Sequence, residues 1–426
     1  EMVIRDWSSD VCSSDLDSEG IGLTLDIRNG GRGVRLGGRR LLAATIVWAD
    51  YSADVSPFDA AFDFCKRLCD RPRLPNHIVY GGNNWYSAYG ISSDADMMRD
   101  TELIAELTEG LDNRPYMVVD DCWQPADGRH PEIGPGWAGG YDWRRGNDKF
   151  PDMPGLADRM RRLGVRPGIW LRPLAADSSG DPSTLLSKNR ILHPDDNLLK
   201  RAFLDPTTES AQEKIRGDIK MLADWGYELI KHDFSTWDLF GRWGFEMGES
   251  VTGGDWSFSD RTKTNAEIVR NLYELIRDAA GDAVIIGCNT VSHLSAGLFE
   301  IQRTGDDTSG RKWEKTRKMG INTLAFRMAQ HQTFYIADAD CVGLTALVPW
   351  DKNRQWMELL AASGTPLFVS AAPAAVTDEM RPVIRDAFAL ASRAWPSGEP
   401  VDWLDTTCPV EWRLNGQLRR FNWSDA

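Results

Sequence analysis

Residues 210–233, SAQEKIRGDIKMLADWGYELIKHD, decide the fold. An amphipathic helical stretch over 210–225 leads into a short apolar run at 228–231, which ends on Lys231-His232-Asp233. The same unit recurs on both sides. Further apolar runs occupy 78–81, 116–119, 166–171, 283–287, 299–303, 333–337 and 366–369. Amphipathic stretches at 96–111, 153–163, 263–279, 313–329 and 352–362 separate most of them. Strands this apolar, alternating with helices, predict a parallel sheet buried on both faces. Eight such repeats over roughly 300 residues favour closure into a (β/α)8 barrel of the TIM type. A doubly wound open sheet is the alternative, but the first run is followed by Gly81-Gly82-Asn83-Asn84-Trp85, which lacks the GxGxxG spacing of a dinucleotide-binding turn.

Residues 77–395 are therefore expected to form the barrel. Residues 20–76 begin with alternating apolar and polar positions and Gly-rich turns, the pattern of a remnant of an N-terminal β-domain. Residues 396–426 carry a hairpin-like turn at Asn415-Gly416 and are expected to open a truncated C-terminal β-domain. Within residues 1–19, the stretch 6–16, DWSSDVCSSDL, resembles the translation of a short-read sequencing adapter and is expected to pack on nothing. The chain thus reads as a fragment cut at both ends, and its localisation, cytoplasmic or secreted, stays unassigned.

Composition narrows the partners. A net charge of −14 without a basic stripe repels phosphate backbones, so nucleic acid is not expected. No apolar run reaches membrane-spanning length. The six His and seven Cys show no metal-ligand spacing, so neither metal nor cofactor is expected. Cys65 and Cys69 fall on one face of a predicted helix, with Cβ atoms too far apart for an easy disulfide. The 18 Trp are the richest clue. Most are core filler, but those in polar contexts, such as Trp85, Trp123 and Trp137, suit the apolar face of a sugar ring. The expected partner is accordingly an oligosaccharide or glycoconjugate, and a homo-oligomer is compatible with the sequence.

In such barrels the site lies at the C-terminal strand ends. There the sequence places Asn84-Trp85-Tyr86, Asp120-Asp121-Cys122-Trp123, Trp170 with Arg172, Lys231 with Asp233, Cys288-Asn289, Arg303 to Asp307, and Asp338 with Asp340. Glycoside hydrolysis needs two carboxyl groups in distinct roles around an oxocarbenium-like transition state. Two-residue alternation aims Lys231 and Asp233 to one side of their strand, where the cation is expected to keep Asp233 ionised. The residues alone reach an acidic, aromatic barrel mouth suited to a glycosidase; they do not reach the sugar.

The same strand ends resemble the α-galactosidase clan, glycoside hydrolase families 27 and 36, with a lean toward the melibiase-like family 36. The likeness runs from about residue 81 to 370. Asn84-Trp85-Tyr86 is similar to the family's first-strand Ser-Trp-Tyr, and Asp120-Asp121-Cys122-Trp123 to its acidic pair with a following Trp. Lys231-His232-Asp233 resembles the Lys-x-Asp nucleophile motif, and Arg303-Thr304-Gly305-Asp306-Asp307-Thr308 resembles Arg-x-Gly-x-Asp-Thr. The resemblance implies a retaining enzyme releasing terminal α-D-galactose, with Asp233 as nucleophile and Asp307 as acid/base. It further implies that Asp120 and Asp121 grip O4 and O6, Lys231 bonds O3 or O4, and Arg303 faces O2. Cys288 would line the floor, and Trp85, Tyr86 and Trp170 would pack on the sugar. Asp306 is the rival acid; on an extended strand end it points away from Asp307 and Arg303.

The sequence departs from the family at two loops. Cys288 is followed by Asn289-Thr290-Val291-Ser292-His293 rather than a Gly-rich loop, and the third strand ends Trp170-Leu171-Arg172-Pro173 where Phe-Glu-Pro is usual. Alternatives are therefore an α-N-acetylgalactosaminidase or related α-glycosidase, a galactosyl transferase, and a non-catalytic sugar binder, the last disfavoured by the presence of both carboxylates.

Overall fold

The computed structural model describes residues 27–126, 140–191, 201–242 and 254–424, and the backbone of short strands within 3–26 and 129–135. Trp137 and the side chains of the adapter-like stretch lie outside the described residues.

Nine strand segments form one parallel sheet. They are β1 (Tyr80–Asn83), β2 (Tyr116–Val119), β3 (Arg166–Leu171), β4 (Leu229–His232), β5 (Val284–Gly287), β6 (Ile301–Arg303), β7 (Ile336–Asp338), β8 (Cys341–Leu344) and β9 (Leu367–Ala371). The hydrogen-bonded order runs β7-β6-β5-β4-β3-β2-β1-β9-β8. The two ends of that order, β7 and β8, are consecutive in sequence, so they are halves of one broken strand and the sheet closes into an eight-strand barrel. The break falls at Ala339-Asp340, where Asp340 takes a left-handed φ of 74°. The single strand expected at 333–337 is thus later and split, because Asp340 turns its carboxylate into the barrel at the cost of the ladder.

Alternation sorts the side chains. Val118, Leu229, Ile286 and Ile301 pack together inside the barrel, while Met117, Val119, Ile230 and Ile285 join the larger core beneath the helices. The same parity that turns Leu229 inward turns Lys231 inward and sends His232 out. His232 lies fully buried against Tyr273 and Phe299, and burial alone lowers its pKa to about 3.

The helices Asp94–Leu107, Met153–Arg162, Glu209–Asp224, Asn265–Ala279 and Trp350–Ser363 clothe the barrel near their expected positions. The stretch expected as one helix over 313–329 is instead Trp313–Thr316, a π-turn at Arg317–Asn322 and Thr323–Arg327. Ahead of the barrel, residues 27–56 hold little regular structure; Asn29 and Arg39 tie them to the loop before Asn265–Ala279 and to Glu267 on that helix. Helix Pro57–Leu68 follows, with Cys65 within it and Cys69 capping its end. After the barrel, Glu411–Leu414 and Gln417–Arg420 pair as a hairpin whose tip, Asn415-Gly416, has the two positive φ values that a tight hairpin turn requires.

Candidate active site

The site is built where β1 to β8 end. Asp233 follows β4 and receives three hydrogen bonds: Trp170 Nε1 donates to Oδ2 at 2.9 Å, while Asn289 Nδ2 and the Phe234 amide donate to Oδ1 at 2.6 Å each. Burial raises the pKa of Asp233 all the same, with Lys231, Trp170 and Asn289 opposing it. Lys231 gives the largest of these opposing effects, in the direction expected of a cation beside a carboxylate. Lys231 spends its direct contact on Asp120 Oδ2 at 2.7 Å, and reaches Asp233 only through space.

Asp120 also accepts from Asn83 Nδ2 at 2.6 Å, so Asn83, Asp120 and Lys231 form one buried polar chain across β1, β2 and β4. Asp121 uses Oδ1 to accept from the Cys122 amide at 2.6 Å and Gln124 Nε2 at 2.8 Å. Those bonds hold Cys122 at a φ of 77° and shape the turn beyond β2.

Arg303, inward on β6, is the hub of the opposite wall. It pairs with Asp340 at 2.6 Å and Asp307 at 3.0 Å, and points toward Cys288 Sγ at 3.7 Å and the Tyr86 hydroxyl at 3.4 Å. Asp340 further accepts from the Tyr86 hydroxyl and from the amide and hydroxyl of Thr308 at 2.8 and 2.9 Å. Asp307 is the more open carboxyl, its side chain 37% exposed. Burial acts to raise its pKa, but Arg303 and Lys231 outweigh it and hold it below the ordinary value. Asp233 and Asp307 are near enough for the charge of Asp307 to raise the pKa of Asp233.

Asp306 is exposed and accepts the amide of Asp307 at 2.7 Å. The separation of the two aspartates comes from a bend at Gly305-Asp306, not from an extended strand end. Close backbone contact fixes the loop beyond: a Cβ on Gly343 would lie 2.5 Å from Gly310 Cα.

Trp85 and Tyr86 open the turn Trp85–Ala88 after β1 and are buried, Trp85 edge-on to Tyr89 at 5.4 Å. Trp170 is 1% exposed, with its ring between Trp143 and Phe234. It meets the site through Nε1, which donates to Asp233. Arg172, expected at the rim, turns inward to Asp238. The sequence placed Asn289 and Asp340 at the rim without a role, and left out Asn83, which ends β1.

Among the described residues no cluster of His, Cys, Asp and Glu is arranged to hold a metal ion, and no helix is long and apolar enough to cross a membrane.

The structure is thus a closed parallel barrel with Asp233, Asp307 and the Arg303–Asp340 pair at one rim. No family model matches the chain. A probable α-galactosidase B from Aspergillus oryzae is 23% identical over 383 residues, covering 80% of this chain and 73% of that protein. An α-galactosidase from Thermus thermophilus in complex with p-nitrophenyl α-D-galactopyranoside superposes with a TM-score of 0.59 at 20% identity, covering 85% of this chain and 70% of that one. A family 27 β-L-arabinopyranosidase from Geobacillus stearothermophilus superposes with a TM-score of 0.57 at 16% identity, covering 80% and 79%. The chain is similar in sequence to that probable α-galactosidase and shares the barrel fold of these solved structures.

Proposed function

We propose that this chain is a retaining glycoside hydrolase that releases terminal α-D-galactose from α-galactosides by double displacement. The observation that carries the proposal is the unequal treatment of two neighbouring carboxyls. Asp233 is buried and aimed by three donors, whereas Asp307 is part-exposed and paired with Arg303.

Asp233 attacks C1, and Asp307 protonates the departing oxygen and later takes a proton from water. Before substrate arrives, Arg303 keeps Asp307 ionised. A bond from Arg303 to the sugar O2 would weaken that hold, and the negative charge of Asp233 would then favour the protonated acid. Lys231 with Asp120 and Asp121 would bind O3, O4 and O6, and Trp85, Tyr86 and Cys288 would shape the pocket wall.

The test is a panel of nitrophenyl glycosides: α-D-galactopyranoside, N-acetyl-α-D-galactosaminide, α-D-glucopyranoside and β-L-arabinopyranoside, with product analysis. Free galactose from the first, at the highest kcat/KM, supports the proposal; preference for another sugar, or lengthened oligosaccharides as the main product, contradicts it.

A further inference from the structure

Arg172 and Asp238 form a bidentate pair at the end of β3, with contacts of 2.6 to 3.1 Å and side chains 1% and 0% exposed. The guanidinium sits over two rings, 4.4 Å from the centroid of Phe234 and 4.8 Å from that of Phe203. Arg190 backs the same assembly: it stacks on Phe203 at 5.2 Å and donates to the Asp238 carbonyl at 2.8 Å. A buried pair of this kind is weak evidence for stability, because desolvation offsets most of its attraction. Its placement points elsewhere.

Phe234 follows Asp233 directly and has a φ of 64°, a left-handed conformation unfavourable for a bulky residue. That conformation aims the Phe234 amide at Asp233 Oδ1. The Phe234 carbonyl accepts from the Asp238 amide at 2.8 Å, so Asp238 grips both the backbone of Phe234 and the guanidinium on its ring. The other edge of Phe234 touches Trp170, the donor to Asp233 Oδ2. Two of the three hydrogen bonds to Asp233 therefore rest on Phe234 or its neighbour. We infer that Arg172, clamped by Asp238 and stacked on Phe234, is a positioning residue that holds the strained turn after Asp233 and so aims the nucleophile. The inference rests on Asp233 being the nucleophile.

Arg172→Lys keeps the charge but loses the planar stack and the fork. Phe234→Leu loses the stack and leaves the ion pair whole, so it decides the question even if Arg172→Lys fails to fold. Both are assayed on p-nitrophenyl α-D-galactopyranoside, with Asp233→Gly measured beside them with and without azide. In either folded variant kcat should fall about 100-fold while KM stays within about threefold, the mark of a misplaced reacting group. The acidic limb of the kcat/KM profile should also move to higher pH, because a lost hydrogen bond to a carboxylate raises its pKa. Unchanged kcat and acidic limb in Phe234→Leu overturn the inference, provided Asp233→Gly is inactive and rescued by azide. If Asp233→Gly keeps full activity, the nucleophile assignment fails instead, and this inference with it.

Discussion

Arg303 and Asp340 form an ion pair of 2.6 Å inside the barrel, each side chain 3% exposed. The pair exists because the seventh barrel strand breaks, which lets Asp340 reach inward beside β6. Asp340 also takes the Tyr86 hydroxyl and two bonds from Thr308, so it fixes the cation, an aromatic wall and the loop that carries Asp307.

Removing Asp340 should therefore strand a buried guanidinium. Asp340→Ala is expected to lower stability by about 3–5 kcal/mol, the usual result of breaking one partner of a buried pair. Urea unfolding monitored by Trp fluorescence checks it; a loss below about 1 kcal/mol would place Arg303 in water rather than in this pair.

Asp307 and Asp306 should separate cleanly by leaving group. Asp307→Ala is expected to slow oligosaccharide substrates by about 100-fold or more while sparing activated aryl glycosides, whose turnover azide then raises. Asp306→Ala, at an exposed position, should change stability by no more than about 0.5 kcal/mol and leave both rates near the parent values. The reverse pattern in steady-state kinetics would exchange the two roles.

The chain Asn83–Asp120–Lys231 predicts a binding defect. Asp120→Asn should cost about 1.5–3 kcal/mol in transition-state binding of galactosides through lost charge-assisted hydrogen bonds. Its kcat/KM on the nitrophenyl galactoside measures this; equality with the parent would remove Asp120 from the sugar site.

Asp100 supplies a pH test of stability. It is buried in helix Asp94–Leu107, one carboxyl oxygen has no hydrogen-bond partner, and burial pushes its pKa from 3.8 up to about 7. A raised folded-state pKa means stability that is complete below pH 3.8 and is lost as pH rises through about 7. Asp100→Asn should accordingly melt higher than the parent at pH 8, with the gap closing toward pH 4; a gap independent of pH would contradict the buried carboxyl.

Much of this was legible in the sequence. The apolar run ending at Lys231-His232-Asp233 located β4 within one residue, and the runs at 116–119 and 166–171 match β2 and β3. Period-two alternation was enough for Lys231, since regular strand geometry continues to that point. It failed past Arg303, where a bend replaces the strand, and at Asp340, where a left-handed residue breaks it. Strand periodicity carries no information on either. Arg172 was misplaced for a different reason: a cation at a strand end reads as rim-facing until its counter-ion is known, and Asp238 lies 66 residues away. Long-range pairs of that kind have no local pattern.

The assignment of Asp233 is tested most directly by trapping the glycosyl-enzyme. The protein is incubated briefly with 5-fluoro-α-D-galactosyl fluoride, digested, and its peptides are mapped by mass spectrometry. A fluorogalactosyl ester on Asp233 is the expected result. An ester on Asp307, or on any other carboxylate, would contradict it.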